Sequence, residues 1–275
     1  MNLQRFVHLI EKEKNTSRLP VLFLGHGSPM NAIEHNEFVK AWQELGLKLH
    51  EVKAILCISA HWETNGTLVT AMEKPKTIHD FGGFPKELYS VNYPAPGDPV
   101  LANSIHNEFN DIDQDFSWGL DHGCWSIMKH LFPDAKIPVL QLSLDQSKNP
   151  QQHYALAKKL SVLRERGVLI IGSGNMVHNL SLLNWNQPAS GFDWAVESNE
   201  IIKKCIFEGN HEKLINYQKM GKELNLAIPT PEHFLPLLYV LGMQDTTEKA
   251  AFFNDKTVMG SISMTSTVFG LNQYN

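Results

Sequence analysis

Three histidines in this chain follow short apolar runs closely: His26 in LFLGHGSPM, His61 in ISAHW and His178 in GSGNMVHNL. Imidazole is a neutral nitrogen donor near pH 7 and suits Zn(II) and Fe(II), so several imidazoles brought together would hold one divalent ion. One histidine beside a strand is ordinarily structural; three at equivalent positions of three strands make a candidate metal centre. His233, in TPEHFLPLLYVLG, sits at a helix entrance. Either that helix starts with Thr230 as N-cap and Pro231 at its first position, or it starts nearer Leu235 and leaves His233 in the loop. His122, in GLDHGCW, precedes an apolar helix, and its neighbour Asp121 is placed to orient or charge the ring as an acid–base group. His79 lies beside Asp80 in a long loop and is open to either a structural or a chemical reading. The other histidines fall on helices or polar loops. Ser28 is not in a GxSxG turn, GSGN at 172–175 lacks both GxGxxG and the P-loop lysine, and Cys124 reads as a small residue packed at a helix start.

Ligands scattered in this way need a scaffold that returns its strands to one edge. Residues 21–24, 54–59, 137–144 and 168–171 are near-continuous apolar runs rich in Val, Ile and Leu. That pattern suits parallel strands covered on both faces. Helical patterns lie between them in NEFVKAWQELGLKL, CWSIMKHLFP and QQHYALAKKLSVLRERG. The alternation predicts an α/β fold, a single three-layer domain over residues 1–275 with a central, mostly parallel but mixed sheet flanked by helices. Ligands in such sheets sit outside the carboxyl ends of the strands, where His26, His61 and His178 fall. GTLVTAME (66–73) and VMGSISMTSTVFG near the C-terminus are further strands, placed at an edge. Leu3, Phe6, Val7 and Ile10 have the spacing of a short amphipathic helix. The stretch 74–99 carries prolines, glycines and aromatic residues, with a short helix expected around 85–91; a loop of this length inside a domain reads as a lid or binding wall.

Composition narrows the partners. A net charge of −5 without any Lys/Arg block argues against nucleic acid and anionic membranes. No apolar run is long enough for a membrane span, and the N-terminal stretch is too charged for a signal peptide. Three cysteines without a CxxC pair suit a reduced, cytoplasmic compartment.

LFLGHGSPMN, ISAHW, TIHDFGGFPKELYSVNYPAPGDP, GLDHGCW, GSGNMVHNL and TPEHFLPLLYVLG, together and in this order, resemble the class III extradiol ring-cleavage dioxygenases, and among them the 4,5-DOPA extradiol dioxygenase family. The resemblance implies a non-haem centre with one divalent metal ion, Fe(II) for activity with Zn(II) as a plausible occupant, acting on a catechol and O₂. It implies His26, His61 and His233 as metal ligands, His178 as a ligand or a base beside the ion, and His122 as an acid–base or substrate-binding group. The wider class uses two histidines and a carboxylate, whereas here the third position is His233, with Glu232 beside it. Phe81, Phe84 and Tyr93 of the long loop are expected to wall the aromatic ring. A zinc hydrolase on the same site and a non-enzymatic binding protein with this fold are the alternatives. Monomer and homodimer are both compatible with the sequence.

Overall fold

The apolar runs become the middle of a sheet in the computed structural model, which describes residues 18–271. The helix expected at Leu3–Ile10 lies outside the described residues. Ten strands are present among them: β1 (Val21–Gly25), β2 (Ala54–Thr64), β3 (Thr67–Thr70), β4 (Ile112–Asp115), β5 (Val139–Asp145), β6 (Val168–Gly174), β7 (Ala251–Phe253), β8 (Thr257–Val258), β9 (Ile262–Ser263) and β10 (Ser266–Phe269). Eight of them form one sheet in the order β4-β3-β5-β2-β6-β1-β10-β7, and β8 pairs with β9 separately. The four central strands β5, β2, β6 and β1 run parallel. Antiparallel pairs join β3 to β5, β10 to β1 and β7 to β10, so the sheet is mixed as expected.

The central strands are buried on both faces because alternate residues enter two different cores. Phe23, Leu56, Ile58, Leu140 and Ile170 pack into one. Leu22, Leu24, Ile55, Cys57, Leu169 and Ile171 pack into the other. The longer helices are α1 (Glu37–Gly46), α2 (Pro99–Glu108), α3 (His122–Leu131), α4 (Pro150–Leu160), α5 (Asp193–Phe207) and α6 (Leu235–Met243). Trp42 of α1 and Trp125 of α3 fill the second core, whereas α4 and α6 contribute to the first. Their starts are written in the sequence. Asn36 accepts from Val39 N–H, Asp121 from Cys124 N–H, and Asn149 forms a reciprocal capping box with Gln152.

Two placements differ from expectation. The true edges are β4 and β7, and β10 lies inside the sheet between β1 and β7. Its sequence, STVF, looks like an edge strand because of its hydroxyls. Ser266 is satisfied inside, its Oγ accepting from Gly25 N–H and donating to the Met264 carbonyl, whereas the buried Thr267 hydroxyl has no partner among the described residues. The long loop does contain a helical turn, Lys86–Tyr89.

Candidate metal centre

The parallel strands β1, β2 and β6 end on one side of the sheet, and their histidines meet there. His26 follows β1 directly, and its backbone N–H bonds the Gly174 carbonyl at the end of β6. His61 lies within β2, past Ile58, where the register against β5 shifts. That irregularity lets a strand residue turn toward the cluster. His233 precedes α6, which begins at Leu235 with Pro236 in its first turn; the second of the two expected starts is the observed one. Helix α6 is buried throughout, and Gly174 lets it approach, since a Cβ there would lie 2.1 Å from the His233 carbonyl oxygen.

The ligand nitrogens of His26, His61 and His233 all lie within 4.8 Å of one another. His26 Nε2 and His61 Nε2 are 3.1 Å apart. Two nitrogens bound to one ion at metal–nitrogen distances near 2.1 Å, at tetrahedral or octahedral angles, are separated by about 3.0–3.4 Å. The tautomers fit as well. Ser173 Oγ donates to the Gly123 carbonyl and therefore accepts from His26 Nδ1–H, which leaves the lone pair on Nε2. Glu232 accepts from His233 Nδ1–H at 3.2 Å, and Asp80 lies 3.6 Å from His61 Nδ1. Each ring thus has a partner on its Nδ1 side, the usual way a protein fixes a ligating imidazole. The donor set fits a divalent metal.

Two groupings flank the trio and share a member with it: His61 with Asp80 and His122, and His233 with His178 and Glu232. His178 stands four residues beyond β6, tied by its N–H to the Ala227 carbonyl, and its ring stacks on His233 at 3.5 Å with 9° between planes. His122 opens α3, and its ring lies 3.9 Å from that of His61. The structure brings all five predicted histidines to one place, with His178 and His122 on opposite flanks. Glu232 belongs to the His178 flank and not to the trio.

The partner of His122 is a correction. Asp121 is fully buried and turned away; it caps α3 and accepts from Ser59 Oγ and Gln141 Nε2. Burial, then the nearby Asp80, pushes its carboxyl up. Asp80 performs the expected role. Its two oxygens accept from the His122 backbone N–H and from Nδ1–H, each at 2.9 Å. Burial would raise the Asp80 carboxyl, but the bonds and charge of His122 outweigh it and hold it below the ordinary value. His79, next to it, bonds the Val91 carbonyl and fixes the loop.

Burial dominates the electrostatics of the rings. His26 and His233 are held well below the ordinary 6.5, first by desolvation and then by the surrounding imidazoles. His61 is lowered to about 3 by burial and by His122, and His178 to about 4 by burial. The rings are therefore neutral at pH 7, as ligation requires.

The cluster forms the floor of a cavity of about 610 Å³, room for a substituted benzene ring, walled by Phe81, Phe84, Leu183 and Met264. Tyr93 is not in that wall. It is buried in the core with its hydroxyl donating to the Phe132 carbonyl, a structural position that aromatic content alone could not distinguish.

Residues 20–270 match the family described as the catalytic LigB subunit of aromatic ring-opening dioxygenase. The chain is 46% identical over 263 residues to the 4,5-DOPA dioxygenase extradiol of Escherichia coli K12, covering 93% of this chain and 96% of that one. It is 37% identical to the protein of the same name from Beta vulgaris, covering 89% and 96%. A crystal structure of an uncharacterized protein from Escherichia coli K12 superposes with a TM-score of 0.81 at 41% identity, covering 92% of this chain and all of that one.

Proposed function

The chain belongs to the LigB family of aromatic ring-opening dioxygenases, and on that premise we propose that it opens catechols of the L-DOPA type by 4,5-extradiol cleavage at Fe(II) held by His26, His61 and His233. It is a non-haem extradiol dioxygenase, which displaces the hydrolase and binding-protein readings of the same site. The observation that carries the residue assignment is the convergence of three neutral imidazoles, with His26 Nε2 and His61 Nε2 3.1 Å apart, on the floor of an aromatic-walled cavity.

A divalent iron bound there would supply chelation of both catechol oxygens and a neighbouring position for O₂. The chain supplies the rest. Phe81 and Phe84 hold the ring against the histidine floor and exclude water. His178, kept neutral by burial, takes a proton from a catechol hydroxyl. His122 carries its Nδ1 proton to Asp80, so its Nε2 is the nitrogen that exchanges protons with the substrate, and Asp80 stabilises the ring whenever it is charged. Three neutral ligands leave the ion's positive charge uncancelled, which favours a substrate whose two oxygens become anionic.

Oxygen consumption by anaerobically Fe(II)-loaded protein tests this. Uptake with L-DOPA and a yellow semialdehyde product are expected, with loss of uptake on Zn(II) substitution. No uptake with any catechol would overturn the proposal.

A further inference from the structure

We infer that the cavity favours catechols whose ring substituent ends in an ammonium group, and that Glu34 is the residue that reads it; this rests on the ring-cleavage function proposed above. None of the described residues lining the cavity is a lysine or arginine. The charged side chains in its wall, the histidines aside, are Asp80 and Glu34. Asp80 is occupied at both oxygens by His122. Glu34 is exposed and makes no side-chain hydrogen bond or ion pair among the described residues.

Asn31, Asn36 and Ser28 of the same wall are already committed to the fold. Asn31 donates to the His26 carbonyl and accepts from Asn36, whose own oxygen caps α1. Ser28 Oγ accepts from Met30 N–H. Two lysines that bond residues flanking Glu34 in the sequence are engaged there. Lys256 pairs with both oxygens of Glu37, and Lys129 donates to the Ala32 carbonyl.

Glu34 is also held in register with the metal ligands. It follows the 3₁₀ turn Pro29–Ala32, its N–H bonds the Met30 carbonyl, and Asn31 ties that turn to His26. A catechol lying with its oxygens on the histidine floor meets a lining that, among the described residues, offers one uncommitted carboxylate and no lysine or arginine. Opposite charges attract and an unpaired like charge is rejected, so an ammonium is favoured and a lone carboxylate disfavoured.

Four catechols that differ only at the substituent test this: dopamine (ammonium), L-DOPA (ammonium and carboxylate), 3-(3,4-dihydroxyphenyl)propionate (carboxylate) and 4-ethylcatechol (neither). The readouts are kcat/KM for O₂ uptake and, independently of turnover, Kd by anaerobic calorimetry on metal-loaded protein. Dopamine is expected to exceed 4-ethylcatechol by about three- to fivefold, the size of a solvent-exposed ion pair, with the propionate lowest. The preference should shrink as salt rises from low to high ionic strength. Glu34→Gln should bring the dopamine to 4-ethylcatechol ratio near one, and Glu34→Lys should invert the order of dopamine and the propionate. A ratio unchanged in Glu34→Gln, or a wild-type preference for the propionate, would overturn the inference while leaving ring cleavage intact. Failure of all four to be cleaved would overturn the proposed function instead, and the Kd ratios would still decide the role of Glu34.

Discussion

At the scale of single residues, the arrangement around each imidazole decides what that ring can do. Ser173, Asp80 and Glu232 occupy the Nδ1 sides of His26, His61 and His233, so the lone pairs face one point. Asp80 serves two rings at once, which makes it the most informative residue to change. Asp80→Asn keeps an oxygen for one of the two His122 bonds and loses the other together with the charge. Catalytic rate should fall roughly 10- to 100-fold, the usual effect of losing such an orienting partner, while metal content measured by atomic emission stays near one per chain. A variant that loses its metal would contradict this and show that Asp80 is needed to keep His61 on the ion. The five histidines were legible in the sequence because each adjoins a strand end or a helix entrance. Asp80 was not, because it reaches His122 from a loop 42 residues away. Adjacency in sequence pointed to Asp121, whose side chain the helix start claims as a cap.

Elements bring these residues together by close backbone approach. Gly25, Gly27 and Gly174 stand where β1 and β6 end beside the site, and each is crowded. A Cβ on Gly25 would meet the Met264 backbone at 2.7 Å, and Gly27 has a φ of +62° as well as Met264 Sδ at 2.4 Å. Gly174 touches the segment that carries His233. Gly174→Ala should therefore cost about 1–3 kcal/mol in chemical denaturation and weaken metal binding together, because relief of the clash moves His233. Unchanged metal affinity in a destabilised Gly174→Ala protein would mean that α6 does not set the position of its ligand. The central strands were legible from their continuous apolar runs. The interior position of β10 was not, since the Ser266 hydroxyl finds its partners only once β1 and the Met264 turn are in place.

Across the whole molecule, burial keeps imidazoles neutral well beyond the site. Seven histidines among the described residues are held below the ordinary 6.5, including His153, lowered to about 4 in the first core's neighbourhood. A group with a depressed folded value takes up its proton more readily when unfolded, so acidification favours unfolding. The stability these groups support is complete above pH 6.5 and is lost as pH falls toward about 4 and then 3. Thermal melts of metal-free protein should show Tm already declining between pH 6.5 and 5, above the range where ordinary carboxylates titrate. A Tm that is flat from pH 7 to 4.5 would contradict this. The same neutrality means that metal binding at pH 7 releases few protons. No helix among the described residues is long and apolar enough to cross a membrane.

The central claim is that His26, His61 and His233 hold one catalytic metal at the carboxyl ends of β1 and β2 and the entrance of α6. Anomalous diffraction at the iron edge, from crystals grown anaerobically with Fe(II), tests it most directly. A single strong peak bonded to one nitrogen of each of the three histidines is the predicted result. A peak placed among His61, Asp80 and His122, or among His178, Glu232 and His233, would contradict it.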